Sequence, residues 1–205
     1  MGLHGIGFAP KSPIASLMAF IDAGYLRAEF DRIAPNQKMD FVALKQKIAE
    51  NFNANCNGKY DGDLVRVYYY DAIVEPSHPK YNEQNDYLST IKKINGYQIR
   101  LGKLTPTGKN GIGSLKQKGV DVLLATDMIT KAYTNQYEFA ILIAGDSDFL
   151  EVVNAVKDSG KRVFGMYFKE HIADDLYDAL DTRIELNNFY NAFKIIVVPQ
   201  PTDDE

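Results

Sequence analysis

FAILIAGDSDFLEVV, residues 139–153, holds the transition that decides the fold. Phe139–Ala144 is apolar without alternation, the pattern of a strand buried on both faces, as in a parallel sheet. The run closes in GDSD, Gly145–Asp148. Phe149, Val152, Val153 and Val156 then recur at i, i+3, i+4 and i+7, the apolar stripe of a helix. Gly160 falls where a C-cap glycine belongs. Asp146 and Asp148 therefore stand at the carboxyl end of a central strand, the edge at which open α/β sheets bind ligands. Capping of the helix by Ser147 or Asp148 accounts for one polar residue here. It does not account for two aspartates around one serine.

Working outward, Leu17–Ile21 reads as a strand ending at Asp22, with AGYLRAEFDRI as the helix after it. Pro35 ends that helix. Phe41, Leu44, Ile48 and Phe52 share one face of a second helix over Met39–Phe52. Residues 53–63 read as a turn-rich loop, and Leu64–Tyr70 as a strand ending at Asp71. A helix over 81–95 and a strand over Tyr97–Leu101 come next. Lys118–Ala132 reads as a helix with Asp121 in its first turn. Asp127 lies six residues on, about 240° around the helix, so the two aspartates do not share a face. Asp127 is then a structural hydrogen-bonding group. Lys161–Phe168 is the next strand, residues 171–180 are helical, and Thr182–Asn191 holds a short strand or helix. Phe193–Val198 is one more β-like run, read as an edge strand. The alternation of strand and helix predicts one α/β domain with a mainly parallel sheet. The boundaries read from it are a flexible arm over 1–15, the domain over 16–198 and an acidic tail over 199–205.

Composition narrows the functional classes. The 205 residues are 45% hydrophobic and 24% charged, with a net charge of −4. Bulk charge does not draw such a protein to nucleic acid, so any such binding needs a local patch. One lies between Lys92 and Lys118, which has seven Lys or Arg, Lys103, Lys109, Lys116 and Lys118 among them, and no Asp or Glu. Its middle, PTGKNGIGS, reads as a flexible Gly-rich strip able to hold a phosphate backbone. It lacks the P-loop spacing. A single cysteine, Cys56, rules out an internal disulfide and fits a reducing cytoplasm. His4, His78 and His171 have no zinc-type spacing. No apolar run approaches the ~20 residues of a membrane span.

Asp22, Asp121, Asp146 and Asp148 are thus expected to converge at the sheet's carboxyl edge, with Asp71 at the periphery. Carboxylates at close range raise one another's pKa, and a divalent cation removes that conflict. An all-oxygen set favours Mg²⁺ or Mn²⁺. Such an ion can polarise a phosphodiester and acidify a bound water. With the basic strip beside Asp121, the combination predicts metal-dependent hydrolysis of a phosphate ester.

FIDAGYL (20–26), KGVDVLLATDM (118–128) and AILIAGDSDFLEVVNAVKDSGKRV (140–163) together resemble a NYN domain of the PIN-like nuclease superfamily, in its LabA-like group. The resemblance covers roughly residues 17–185. It implies a Rossmann-like three-layer fold with sheet order 3-2-1-4-5, and an acidic site for Mg²⁺ or Mn²⁺. It also implies a nuclease that acts on RNA in preference to DNA. By motif, Asp22, Asp121, Asp146 and Asp148 become metal-site residues, with Asp71 at a matching acidic position. Lys118 matches a phosphate-contact position and Ser147 a carboxylate-support position. One position departs: many members have Asn three residues after the first Asp, where this chain has Tyr25. A homodimer would lengthen the short groove of a single domain.

Two other readings compete. The same fold could serve as a non-catalytic module that binds RNA or a protein partner. GDSD followed by a helix and SGKRV also resembles the acidic motif of haloacid-dehalogenase-type phosphatases. Those enzymes need DxD on the nucleophile strand, and Gly24 stands where the second Asp would be.

Overall fold

The computed structural model describes residues 12–106 and 115–196. Strand β1 (Ile14–Asp22) leads into helix α1 (Ala23–Ile33), β2 (Lys38–Met39), α2 (Phe41–Asn55), β3 (Asp61–Ile73), α3 (Tyr81–Lys92) and β4 (Tyr97–Pro106). Then come β5 (Leu115–Lys118), α4 (Val120–Tyr133), β6 (Phe139–Ile143), α5 (Leu150–Asp158), β7 (Arg162–Tyr167), α6 (Asp174–Ala179), β8 (Thr182–Glu185) and β9 (Lys194–Ile195).

The seven-stranded sheet runs β5-β4-β3-β1-β6-β7-β8. All neighbours are parallel except β5, which is antiparallel to β4. The first five strands expected from the sequence stand in the order 3-2-1-4-5. Period-two alternation along β1 explains the three layers. Leu17, Ala19 and Ile21 pack with Leu26, Phe30, Leu44, Ile48, Phe52 and Leu88 from α1, α2 and α3. Met18 and Phe20 face the other way, onto Leu124 and Met128 of α4 and Val153 and Val156 of α5. Both faces of the central strands are covered, which is why FAILI can be apolar at every position. Among the described residues no helix is long and apolar enough to cross a membrane.

Several boundaries differ from the expectation. Strand β1 begins inside the stretch read as an arm, because Ile14 and Ala15 pair with Asp61 and Gly62. That pairing also makes strand out of the end of the 53–63 loop. Strand β3 does not stop at Asp71, since Asp71–Ile73 continue to pair with Leu101–Lys103 of β4. Lys118 ends a strand, and α4 opens after Gly119, whose φ of 82° is left-handed and favours glycine. The run expected as an edge strand over Phe193–Val198 does not join the main sheet. Lys194–Ile195 pairs instead with Lys38–Met39 in a separate ribbon, which Phe193 anchors by stacking on Phe30 at 5.9 Å. The first 11 residues, the middle of the Gly-rich strip (107–114) and the acidic tail lie outside the described residues.

Candidate functional site

After β1 the chain continues to β3 on one side of it, and later returns to β6 on the other. The sheet therefore has its switch point between β1 and β6, where open α/β sheets form a ligand crevice. Asp22 and Asp146 stand on its two sides, and each caps the helical turn after it. Asp22 Oδ1 accepts the N–H groups of Gly24 at 2.9 Å and Tyr25 at 3.2 Å. Asp146 Oδ1 accepts the N–H of Asp148 at 3.0 Å, opening the 3-10 turn Ser147–Phe149 ahead of α5. Capping is thus real at both positions, and it orients each carboxylate. Neither Oδ2 has a hydrogen-bond partner among the described residues.

Asp121 comes from the first turn of α4 and is exposed, as are Ser147 and Asp148. Burial raises the pKa of Asp22 above the ordinary 3.8, and the charge of Asp121 raises it further. The capping amides and Arg27 act in the opposite direction. Burial likewise raises Asp121, followed by the charges of Asp146 and Asp148. The four carboxylates therefore share one electrostatic neighbourhood, joined through Asp121. They do not form a closed cage: among the described residues no three Asp, Glu, His or Cys side chains are gathered tightly enough to hold a metal ion. The donor set still suits a hard cation. Mg²⁺ is held by one or two carboxylates and keeps several waters, and carboxylates with raised pKa gain most from a nearby positive charge.

The other sequence-selected residues serve different ends. Asp71 lies within β3, 4% exposed, and does not join the cluster. It forms a bidentate ion pair with Arg27, with Nη2 to Oδ1 at 2.8 Å and Nη1 to Oδ2 as the second contact. Asp127 sits on another face of α4, accepting from the Tyr70 hydroxyl at 3.0 Å and pairing with Arg100 and Lys131, each at 3.0 Å. That network ties α4 to β3 and β4. Tyr25 turns inward, and its hydroxyl accepts the N–H of Phe168 at 2.9 Å. Its ring lies against Gly145, where a Cβ would come within 2.4 Å of it. Tyr25 is thus a brace between α1, the GDSD turn and the end of β7. Lys103 and Lys118 are exposed and face each other across the β4–β5 pair. Lys116 is in β5, in register with Thr105, and Lys109 is outside the described residues.

Sequence reasoning missed the Arg27–Asp71 pair and the cleft beside it. Nothing in the spacing of residues 27 and 71 marks them as partners. The adjacency of β1 and β3 brings them together.

A doubly wound, mainly parallel sheet with carboxylates around its switch point defines a Rossmann-like α/β domain with an acidic ligand edge. The family model for the NYN domain matches residues 16–187. The chain belongs to that family, whose place in the PIN-like superfamily makes a nuclease-type function the general expectation, and it is LabA-like. It is 23% identical over 141 residues to Low amplitude and bright protein LabA of Synechococcus elongatus, covering 68% of this chain and 72% of that protein. A crystal structure of a protein of unknown function from Vibrio parahaemolyticus superposes with a TM-score of 0.56. It covers 92% of this chain and 100% of its own at 16% identity, a likeness of fold alone.

Proposed function

We propose that this protein is a metal-dependent nuclease that hydrolyses phosphodiester bonds in RNA, with Mg²⁺ or Mn²⁺ as cofactor. The observation that supports the reading is that Asp22 and Asp146, on the two sides of the switch point between β1 and β6, each cap the turn after their strand. Asp22 and Asp146 would hold the ion, with Asp121 beside them. When bound, the ion supplies polarisation of the phosphodiester and a lowered pKa for the attacking water. Asp148, beside Asp146, would complete the acidic set that holds the ion. Ser147 supports the carboxylates, while Lys103, Lys109, Lys116 and Lys118 contact the phosphate backbone. Asp71, Asp127 and Tyr25 act by holding the surrounding elements. Cys56, buried and without a disulfide, is compatible with a cytoplasmic setting.

The open arrangement of the carboxylates and the engagement of the Tyr25 hydroxyl favour one rival, a domain that binds RNA without cutting it. The deciding experiment is cleavage of a labelled single-stranded RNA with Mn²⁺, with Mg²⁺ and with EDTA, comparing wild type with Asp146→Asn. Asparagine keeps the Oδ1 cap, so the turn is preserved. The expected result is metal-dependent cutting that the substitution abolishes while RNA binding persists. Binding by both proteins with no cutting in either metal overturns the catalytic reading. A parallel single-stranded DNA arm tests the preference for RNA. A phosphomonoester arm should show no turnover.

A further inference from the structure

A cleft of about 440 Å³ opens beside the acidic site, between α1, the end of β3 and the first turns of α3. Its size is in the ordinary ligand range of roughly 300–1,000 Å³. Asp22 pairs in register with Tyr70, and Asp71 in the cleft wall is the next residue along that neighbouring strand. Helix α1, which Asp22 caps, carries Arg27, another wall residue.

Donors outnumber free acceptors in the wall. Both Asp71 oxygens are engaged, by Arg27 and by the Ala72 N–H at 2.7 Å. The Gln84 side chain accepts the N–H of Val74 at 3.1 Å. Because a backbone N–H can only donate, that acceptor must be Oε1, which leaves the Gln84 NH₂ to project elsewhere as a donor. Arg27 and Lys80 add further donors. Tyr87 supplies an aromatic wall, 37% exposed. Its edge is held by Phe41 at 6.1 Å, and its hydroxyl lies 3.5 Å from that of Tyr69. Leu104 closes the apolar side. Charge nearly cancels, since Asp71 offsets Arg27 and Glu83 offsets Lys80. Such a balance suits a flat, neutral ring better than a phosphate.

We propose that this cleft is a nucleobase subsite that stacks one base on Tyr87 and prefers a carbonyl-rich base, uracil over adenine, through the Gln84 amide. Uracil presents two carbonyl acceptors to the donors of Gln84, Arg27 and Lys80, whereas adenine's amino group meets Asp71 oxygens already engaged and has Glu83, exposed on α3, as its acceptor. Arg27 and Tyr87 also line a second concavity of about 510 Å³ towards Met39 and Phe41, so a strand leaving the subsite has a path. This assignment rests on the reading of the protein as acting on RNA. It makes the subsite the device that sets which nucleotide lies next to the scissile phosphate.

The test is binding, without cleavage. Fluorescence anisotropy in EDTA compares labelled oligouridylate and oligoadenylate on wild type, Tyr87→Ala and Gln84→Glu, with uridine monophosphate as competitor. Wild type is expected to prefer oligouridylate. Tyr87→Ala should weaken both oligomers by about 5- to 150-fold, the range of a base–aromatic stack. Gln84→Glu keeps the acceptor for Val74 and removes the donors, so it should erase the uracil preference and leave oligoadenylate binding largely unchanged. It also serves as the informative variant if Tyr87→Ala fails to fold. Competition by uridine monophosphate that depends on Tyr87 supports the same chemistry with a free nucleotide as source. Binding of the oligomer alone assigns the subsite to the strand. Wild-type binding by both folded variants, or a wild-type preference for oligoadenylate, overturns the proposal. If Asp146-dependent cleavage stands while these variants bind normally, only the subsite fails. If base binding stands without cleavage, only the nuclease reading fails.

Discussion

Replacing Gly145 with alanine should damage both stability and the acidic site, through one steric contact. A Cβ at this position would come within 2.3 Å of the His171 carbonyl oxygen and 2.4 Å of the Tyr25 ring. Real Cβ contacts do not reach such distances, so something must move. The backbone of residues 168–173 is held, because the Ala173 N–H donates to the Gly145 carbonyl at 2.8 Å and the His171 N–H to Phe168 at 3.1 Å. Tyr25 is held by the Phe168 N–H. Relief therefore has to break one of these bonds or shift the turn that carries Asp146. Overpacking of this kind costs about 1–3 kcal/mol. At roughly 2–4 °C per kcal/mol for a chain of this size, Tm should fall by about 2–12 °C. Urea unfolding should show a lower midpoint with an unchanged slope. RNA cleavage, measured well below Tm, should fall by more than the folded fraction does, because Asp146 moves with the turn. Adding Tyr25→Ala removes one of the two clashes, so the double variant should be more stable than the sum of the single effects predicts, by about 0.5–3 kcal/mol. A Gly145→Ala protein with the wild-type Tm and cleavage rate would refute the close approach and the bracing role assigned to Tyr25.

The remaining predictions concern charge. Arg27→Met leaves Asp71 buried without its partner, which costs about 3–5 kcal/mol for a fully buried pair. The lower end is expected because the Arg27 side chain is 35% exposed. A loss below about 1 kcal/mol in urea unfolding would show that water replaces the guanidinium, while Asp71→Leu added to Arg27→Met should restore much of the loss. Asp22 and Asp121 both have folded-state pKa values raised above 3.8, burial being the first cause for each. The folded chain then holds protons that the unfolded chain has released. The contribution of these two groups to the stability of the metal-free protein is therefore fully present below about pH 3.8 and is lost as pH rises through the raised values. Asp121→Asn should thus stabilise the metal-free protein at pH 7 and make little difference near pH 3. Thermal melts in EDTA across that range check the sign, and equal destabilisation at both pH values would contradict it.

Much of the molecule was legible from local pattern. The unbroken apolar run of β6, the helical stripe after GDSD and the aspartate at the end of β1 each report an environment that a few neighbouring residues must share. The 3-2-1-4-5 order came with the family resemblance and its three motifs, and the described sheet follows it. What was missed depends on pairing between distant segments. Asp71 looked like a strand-terminal aspartate because nothing in Tyr70–Ile73 reveals that β4 continues alongside it. The β4–β5 pairing was hidden because Lys116 falls in a basic, Gly-rich strip and Lys118 reads as the start of a helix until a neighbour supplies their ladder partners.

The sequence by itself determined the α/β class and the aspartates that begin α1 and the turn before α5. Hydrophobic period and capping chemistry are properties of contiguous residues, and they hold wherever the segment ends up. Only the tertiary structure decided that Asp121 would join Asp22, Asp146 and Asp148 in one electrostatic neighbourhood, and that Asp71 would be claimed by Arg27. It also decided that Tyr25 would brace a glycine from 120 residues further along the chain. Those relations depend on distances of a few ångströms between elements that the sheet order brings side by side. Coulomb and contact energies fall off too steeply with distance for sequence spacing to stand in for them.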